Sequence, residues 1–406
     1  MGDGQNLFSV TQELEYRSEL NGNLKALLDI DSIRAQNDLA EIEKDMVKKL
    51  RKKKPIPETT MEKILNNGGE LPYRIAQKVR QNGILIVRNT IPRNLIHSWS
   101  SDLLQYLYNN QAKENNQTVY DIYWSKAQVA ARQHPHMFKL QKALMKLWHT
   151  NEESEVDVNL DKPIMIADRL RIPRFNSNDN STLDKTPRFA AGGISRWADA
   201  TYRQVYRHIL EGSWKDFDPF EVDYRLESNN PYFSAFQGIL SMSSTEPIET
   251  LRVLPLLKET IAYVMLRPFA PDVPLNLFPG TFPARFHVTE NWHTPLYNAL
   301  VSIPPLGPGD TVWLHPDLIY GGSTQNSVLY IPIGPDCPIN RHYLRKIRHA
   351  FVLGTTPPVS NDILVIEDYE VDFKNRATLE DLSDLGRSAF GLQTILEEVG
   401  RSFCDA

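Results

Sequence analysis

Cysteine is scarce in this sequence, whose 406 residues include only Cys337 and Cys404. Two cysteines provide neither a disulfide framework nor the spacing of a cysteine-bound zinc site. An excess of positive charge is also absent, since the net charge is −5 at pH 7. That balance argues against nucleic acid as the main partner of the protein.

Long apolar runs are absent as well. No segment approaches the roughly 20 apolar residues that span a bilayer, and the N-terminal stretch MGDGQNLFSVTQELEY lacks the apolar centre of a signal peptide. The sequence therefore predicts a soluble cytoplasmic protein without a membrane span. Its length permits a large buried core and, by length alone, more than one domain.

Several common catalytic motifs are missing. The chain has no Gly-x-Gly-x-x-Gly after a strand, no Walker sequence and no Gly-x-Ser-x-Gly elbow, so the usual signatures of dinucleotide, P-loop and serine-hydrolase sites are excluded. His134 and His136 have the spacing of a metal-binding pair, but the proline between them favours a structural role. His287 and His293 are expected in surface loops.

What is present is a helical beginning, a strand-rich centre and a polar end. Residues 20–54 alternate apolar and charged positions at helical spacing, and a second amphipathic helix is predicted over 95–110. GILIVRNTI (83–91) is typical of a short buried strand, and strand-like segments dominate over 233–332. A polar tail begins at Thr355 and ends in a helix. This order predicts an α+β protein with one large domain and helical arms.

Many segments along the chain resemble, in the same order, those of one protein family. They are YWSKAQVAARQHPHM, ADRLRI, GGISRWADATYRQVYRHILEGSWKDFDPF, FQGILSMS, VLPLLKETIAYVMLRPF, PGDTVWLHPDLIY, SVLYIPIGP and GRSAFGL. From roughly Ile84 to Leu392 the chain is similar to a group of bacterial and fungal proteins that resemble iron(II)/2-oxoglutarate dioxygenases of the phytanoyl-CoA-hydroxylase type. The resemblance implies a double-stranded β-helix, or jelly roll, wrapped by helices.

The resemblance also implies how the chain is divided. Residues 1–82 are expected to form an N-terminal helical extension that packs on the core. Residues 83–354 would form the jelly-roll, dioxygenase-like domain. Residues 355–406 would form a C-terminal extension with a terminal helix.

The iron ligands of such dioxygenases are two histidines and one carboxylate on one face of the metal. The resemblance places the first two ligands immediately before a Gly-Gly, where this chain has Phe189 and Ala191 in PRFAAGGISRW. It places the third at Tyr320, five residues after His315 in WLHPDLIYGG. Phenylalanine and alanine offer no donor atom, and a single tyrosine makes a poor iron site. The resemblance therefore implies that the metal is lost, and we predict a protein without a metal or other cofactor.

His315 and Asp317 have the spacing of a His-x-Asp pair, and on a strand such residues face the same side. Three interpretations remain open from the sequence. The pair forms part of a new metal site, or it hydrogen-bonds the polar turn at the end of the strand. In a catalytic interpretation, His315 acts as general acid–base and Asp317 orients it, while Tyr320 donates a hydrogen bond to a substrate carbonyl.

A barrel without iron would keep a pocket for a small molecule. The predicted lining residues are apolar or aromatic, namely Phe189, Ala191 and the nearby Trp197, and Gln237 in FQGILSMS is a further candidate for substrate binding. The strand segment NSVLYIPIG contains no basic residue, so the cation that would bind a carboxylate is sought downstream, at Arg348.

Three functions are compatible with these features. The first is a cofactor-free lyase or cyclase that binds a hydrophobic small-molecule intermediate and catalyses a non-redox cyclisation or dehydration. The resemblance to fungal members implies natural-product biosynthesis, with hetero-Diels–Alder closure as one form of the reaction. The second is an iron(II)/2-oxoglutarate oxygenase with atypical ligands, and the third is a non-catalytic small-molecule-binding or scaffold protein. The sequence predicts neither the substrate nor the oligomeric state.

Overall fold

Helices and strands alternate in the computed structural model of the protein. It describes residues 21–51, 56–112, 119–151, 154–172, 186–190, 192–227, 232–244, 251–281, 286–322, 327–358 and 370–392. The mixed helix-and-sheet class predicted from the sequence is confirmed. Over these ranges no helix combines the length and the apolar character needed to cross a bilayer.

The strands are short, and most have fewer than six residues. In chain order they are β1 (Glu58–Thr60), β2 (Ile84–Arg88), β3 (Val119–Tyr120), β4 (Asn159–Met165), β5 (Leu170–Arg171), β6 (Gln237–Ser241), β7 (Arg252–Val253), β8 (Val301–Ser302), β9 (Thr311–Leu314), β10 (Tyr320–Gly321), β11 (Val328–Tyr330) and β12 (Ile333–Asp336). Seven of them form one sheet in the order β1-β2-β9-β6-β11-β5-β3. Within it only β1 and β2 pair in parallel.

A smaller sheet has the order β10-β7-β8 and is extended at the β10 edge. Arg188 forms an antiparallel bridge with Tyr320 on one side and with His287 on the other. The segment that contains the Arg-Phe-Ala sequence is therefore hydrogen-bonded beside the segment that follows β9. A third, two-stranded sheet pairs β12 with β4.

The helices surround these sheets. In chain order they are α1 (Ser32–Leu50), α2 (Met61–Asn66), α3 (Tyr73–Asn82), α4 (Arg93–Asn109), α5 (Lys126–Arg132), α6 (Pro135–Met145), α7 (Ser195–Ala198), α8 (Ala200–Gln204), α9 (Arg207–Leu210), α10 (Leu257–Leu266), α11 (Thr294–Asn298), α12 (Pro338–Leu353) and α13 (Asp384–Ala389). The helix predicted over 95–110 is confirmed as α4. The predicted helix over 20–54 is interrupted, because Asp29 has a φ of 45° and Asp31 caps α1 by accepting from the amides of Ile33 and Arg34.

The strand predicted over 83–91 is confirmed as β2, and a tight turn precedes β9. Gly309 has a φ of 88°, and a Cβ there would lie 2.1 Å from the carbonyl oxygen of Ile91, so only glycine fits. The Asp310 carboxylate closes the turn by accepting from the Gly307 amide at 2.9 Å and from Arg88 Nη1 at 2.8 Å. β9 leaves this turn as a fully buried strand in the large sheet and ends next to His315.

The core consists of two clusters of buried side chains. The larger joins the large sheet with α1 and α10, so the N-terminal helix packs on the body of the protein. The smaller contains α12 and the C-terminal segment 370–392, with Trp124 and Phe351 at ring centroids 5.3 Å apart. Glu370 connects this segment to the rest of the core. Its buried carboxylate accepts hydrogen bonds from the Tyr106 hydroxyl at 2.8 Å and from the Tyr123 amide at 2.7 Å.

Candidate functional site

His315 stands immediately after β9 and is completely buried. Its Nδ1 accepts from the Asp317 amide at 3.1 Å, so the ring proton lies on Nε2, where the Pro219 carbonyl accepts it at 3.0 Å. The ring stacks on Trp148 with centroids 4.9 Å apart. Burial and the nearby Arg225 lower the pKa of His315 to about 3, so the ring is neutral. Both nitrogens are engaged with the backbone, which matches the interpretation that His315 holds the turn.

Asp317 lies between two buried arginines. Its Oδ1 accepts from Arg196 Nη1 at 2.7 Å and from the Tyr206 hydroxyl at 3.1 Å, and its Oδ2 lies 2.7 Å from Arg225 Nη1. Burial alone would raise the pKa of Asp317, but the guanidinium groups of Arg225 and Arg196 outweigh it and hold the pKa far below its usual range. The carboxylate is therefore ionised and joins the turn after β9 to the segments that carry the two arginines.

Phe189 and Trp197 are packed in the core near this ion-pair network. The guanidinium of Arg196 lies 3.8 Å from the centroid of the Phe189 ring, and Phe286 contacts the same ring at 5.1 Å. The indole of Trp197 is fully buried and donates to the Met265 carbonyl at 3.0 Å. Both predicted lining residues thus stabilise the packing of the core. Ala191 lies outside the described residues.

Tyr320 faces away from Phe189. Arg188 and Tyr320 exchange both backbone hydrogen bonds, at 2.9 and 3.0 Å, which makes them direct cross-strand partners. The side chains of such partners lie on one face of a sheet, and the next residue along the strand points to the other. The Arg188 guanidinium accordingly lies 5.8 Å from the centroid of the Tyr320 ring, whereas Phe189 points to the opposite face.

Three residues of the large sheet share one of its faces. In β11, Val328 pairs with Arg171 and Tyr330 pairs with Ile239. Because residues two apart on a strand point to the same side, Arg171 and Tyr330 lie on one face, together with Gln237 two positions from Ile239. Each of these three side chains is only partly buried, and each stands at the first or last position of its strand.

Tyr330 interacts electrostatically with Tyr320 of the smaller sheet. Burial raises the pKa of Tyr330 to about 12, and Arg171 opposes the shift while Tyr320 adds to it. Both groups are therefore near enough to the Tyr330 hydroxyl to affect its ionisation. We call Arg171, Arg188, Gln237, Tyr320 and Tyr330 the tyrosine–arginine cluster.

The chain matches the sequence pattern of the Gig2-like family over residues 19–392. It belongs to the Gig2-like family. Its relatives include the uncharacterized protein YbiU of Escherichia coli (strain K12), which is 30% identical over 355 residues, covering 80% of this chain and 83% of YbiU.

Solved structures of relatives share the fold of this Gig2-like protein. A hypothetical protein from Escherichia coli has a TM-score of 0.80 at 28% identity and covers 92% of this chain and 97% of its own. The structure of GlcNAc Inducible Gene 2 from Candida albicans has a TM-score of 0.78 at 27% identity, with coverages of 92% and 89%. The family of bacterial and fungal proteins predicted from the sequence is thereby confirmed.

The residues at the expected ligand positions do not fit the iron of a dioxygenase. Tyr320 and Phe189 lie on opposite faces of the smaller sheet, and an iron site needs its ligands on one side of the metal. Across the described ranges, no three side chains of His, Cys, Asp or Glu form a group that could hold a metal ion. We therefore derive no step through iron for this Gig2-like protein.

Two predicted positions differ from their location in the structure. Arg348 lies on α12, and its Nη1 donates to the Phe390 carbonyl at 2.9 Å, where it holds the C-terminal segment rather than joining the tyrosine–arginine cluster. His293, expected on the surface, is completely buried and its Nδ1 accepts from the Thr289 amide at 3.1 Å. Burial lowers the pKa of His293 to about 4. The prediction of a surface position for His293 was wrong because its ring accepts a hydrogen bond from a backbone amide inside the protein, which offsets the cost of burying it.

Three members of the cluster were missed in the sequence, and only one had a local signal. Arg171 stands between Leu170 and Ile172, an alternation typical of a strand with one polar face. Arg188 and Tyr330 have no such signal, because their position depends on the pairing of distant segments. Together the cluster supplies phenol hydroxyls, an amide and two guanidinium groups, which can donate hydrogen bonds to oxygen atoms of a bound molecule.

Proposed function

We propose that this Gig2-like protein is a cofactor-free enzyme that catalyses a non-redox cyclisation or dehydration of a hydrophobic small-molecule intermediate. The observation that carries the proposal is the tyrosine–arginine cluster, in which partly buried hydrogen-bond donors stand on the large sheet and at the edge of the smaller sheet. An apolar site with a few converging polar groups is the usual form of a small-molecule site. In the predicted jelly roll, the reactant would be held between two facing sheets.

Tyr320 is the proposed donor to the reacting carbonyl. In a hetero-Diels–Alder closure, the C=O and C=C bonds of a conjugated enone and the C=C bond of an alkene are converted into one carbon–carbon single bond, one carbon–oxygen single bond and one new C=C bond, and no atom is lost. A hydrogen bond to the enone oxygen stabilises the negative charge that develops there, which can contribute on the order of 3 kcal/mol. Holding the two reacting parts together contributes up to roughly 7–11 kcal/mol for well-oriented reactions.

His315 and Asp317 support this site from behind the smaller sheet. They fix the turn between β9 and Tyr320 through the Pro219 carbonyl and the arginines of the ion-pair network. Their proposed contribution is to hold the Tyr320 strand in place. Gln237 contributes an amide beside the reacting oxygen.

The difference in mass between product and precursor tests the proposed reaction class. The protein would be co-expressed with the biosynthetic genes that neighbour its own, and the products compared by mass spectrometry with and without it. We expect a product isomeric with its precursor, or one lighter by one water, formed in the presence of chelator and without added 2-oxoglutarate. Tyr320→Phe should slow its formation, and Tyr297→Phe, a tyrosine of α11, is the matched control.

An oxygenase would give the opposite result. A product that incorporates an atom from labelled dioxygen, and whose formation stops with chelator, would overturn the proposal. Equal rates for wild type and Tyr320→Phe, with matching melting curves, would remove Tyr320 from the mechanism. Tight ligand binding without any conversion would favour a non-catalytic binding protein.

A further inference from the structure

A network of buried polar groups lies at the β3 edge of the large sheet. β3 and β5 have two residues each, so few backbone hydrogen bonds hold them in the sheet. The Arg132 guanidinium lies beside both strands: its Nη1 donates to the Tyr123 carbonyl at 2.6 Å, and its Nη2 donates to the Asp168 carbonyl at 2.5 Å. Arg132 therefore connects the chain after β3 to the chain before β5.

Glu370 bonds the same backbone through its N–H groups. The Trp124 amide donates to the Glu370 carboxylate at 3.2 Å, and the Tyr123 amide and the Tyr106 hydroxyl donate to it at 2.7 and 2.8 Å. The Tyr123 carbonyl and the Trp124 amide belong to one trans peptide, in which these groups point in opposite directions. One peptide therefore lies between the Arg132 guanidinium and the Glu370 carboxylate.

Both charged groups depend on this peptide. Arg132 is 3% exposed and Glu370 is 1% exposed, and across the described residues neither forms an ion pair. The peptide presents its carbonyl to the cation and its N–H to the anion, so its dipole stabilises both charges. Burial lowers the pKa of Arg132 to about 10 and raises that of Glu370 to about 7, and each group is among those that oppose the shift of the other. Removing either charge leaves the other less stabilised.

Glu370 begins a segment, residues 370–377, that we call the C-terminal strap. The strap bonds two different parts of the molecule. Glu370 and the Ala377 amide, which donates to the Trp124 carbonyl at 2.8 Å, hold it to the chain after β3. The Arg376 side chain instead donates to the Phe351 carbonyl in α12. The first attachment leads through Arg132 to β5, and the second does not.

We infer that the C-terminal strap and β5 are coupled, because Glu370 fixes the peptide between Tyr123 and Trp124 and Arg132 connects that peptide to β5. Arg132 is a positioning residue in this arrangement. Since β5 carries Arg171, detaching the strap would also loosen one wall of the proposed site. That consequence rests on the proposed function, whereas the coupling itself does not.

Hydrogen exchange followed by mass spectrometry on the full chain tests the coupling without ligand or product. The reporter is the peptide with residues 168–172, and the reference is β9, an inner strand of the same sheet. Glu370→Gln keeps the shape of the side chain and removes its charge. We expect exchange in the reporter to become faster by roughly tenfold or more, although Glu370 bonds no atom of β5. Exchange in β9 should keep the wild-type rate, which shows that the change is local.

Arg376→Met is the matched control. It removes a guanidinium from the same strap and leaves Glu370 with its donors. We expect faster exchange within residues 370–377 and a wild-type rate in the reporter. Arg132→Met should speed exchange in both places. Combining it with Glu370→Gln should give less than the product of the two single fold-changes, because both act on one network.

Faster exchange in the strap of Glu370→Gln with a wild-type rate in the reporter would overturn the inference. Equal acceleration of the reporter by Arg376→Met would overturn the route through Glu370 and Arg132, as would single fold-changes that multiply in the double variant. If Glu370→Gln does not fold, Tyr106→Phe removes one donor to Glu370 and should give the same pattern at a smaller fold-change, so a loosened strap with an unchanged reporter there counts against the coupling. Since no product is measured, failure of the coupling leaves the proposed function standing, and failure to form product leaves the coupling standing.

Discussion

Asp317→Asn is predicted to lower the stability of the protein strongly. The Asp317 carboxylate is 1% exposed and lies 2.7 Å from a guanidinium nitrogen of Arg196 and of Arg225. The asparagine side chain has a similar shape but no charge, so two positive groups would face each other away from water. Removing one partner of a buried ion pair typically costs about 3–5 kcal/mol.

Urea unfolding followed by tryptophan fluorescence measures this loss. We expect the free energy of unfolding of Asp317→Asn to fall by about 3–5 kcal/mol. Arg225→Leu should cost less, because it leaves Arg196 and Asp317 as a neutral pair, although it removes the hydrogen bond from Arg225 to the Pro219 carbonyl at 3.0 Å. Asp317 and Arg225 do not act independently. The double variant Asp317→Asn with Arg225→Leu should therefore lose less free energy of unfolding than the sum of the two single losses.

The pH dependence gives a second check on the same network. The pKa of Asp317 is depressed in the folded protein, so its stabilising effect is present above the unfolded pKa of about 4 and is lost as the pH falls further. In Asp317→Asn, the free energy of unfolding should fall less steeply as the pH is lowered. If the free energy of unfolding of Asp317→Asn lies within about 1 kcal/mol of wild type at neutral pH, the arginines must move apart or become solvated. The description of a rigid network would then be wrong.

Three further predictions address other parts of the molecule. Burial raises the pKa of Glu370 to about 7, so between pH 5 and 7 the folded state binds more protons than the unfolded state. The free energy of unfolding should therefore decrease as the pH rises through that range. Glu370→Gln should remove this pH dependence in thermal melts. Gly309→Ala should lower the free energy of unfolding by about 2 kcal/mol or more, because φ is 88° and a Cβ would clash with the Ile91 carbonyl. Gly69→Ala is the control: its φ is 85°, but no atom lies within 4 Å of the added Cβ, so its effect measures the cost of the backbone conformation alone. Arg188→His with Tyr320→His should bind Zn²⁺ more tightly than Phe189→His with Tyr320→His in a competition assay, and the reverse order would contradict the strand register.

The parts of the fold that the sequence predicts are those with a local cause. β2 and β9 are short apolar strands bounded by turn residues, and α4 has the spacing of an amphipathic helix. Strands of two residues such as β5 and β10 are too short for any alternation to show. Their existence depends on the pairing partner, which lies far away in the chain.

The candidate site was predictable only in part for the same reason. Tyr320 was found because the resemblance points to its position, and Gln237 was named as a candidate within the family-like segment FQGILSMS. Arg188 faces Tyr320 only because the two backbones pair in one register, and a shift by one residue would bring Phe189 there instead. No pattern within either segment specifies that register.

The turn after β9 has a consequence for how this protein can change over generations. His315 and Asp317 hold the turn from one side of the smaller sheet, while Tyr320, a few residues later, lies beside Arg188. Under the proposed function, substitutions at Tyr320, Arg188 or Tyr330 would alter which molecules the site accepts without touching the groups that keep the chain folded there. Relatives with the same fold could then diverge in the molecules they recognise, because different residues would determine selectivity and stability.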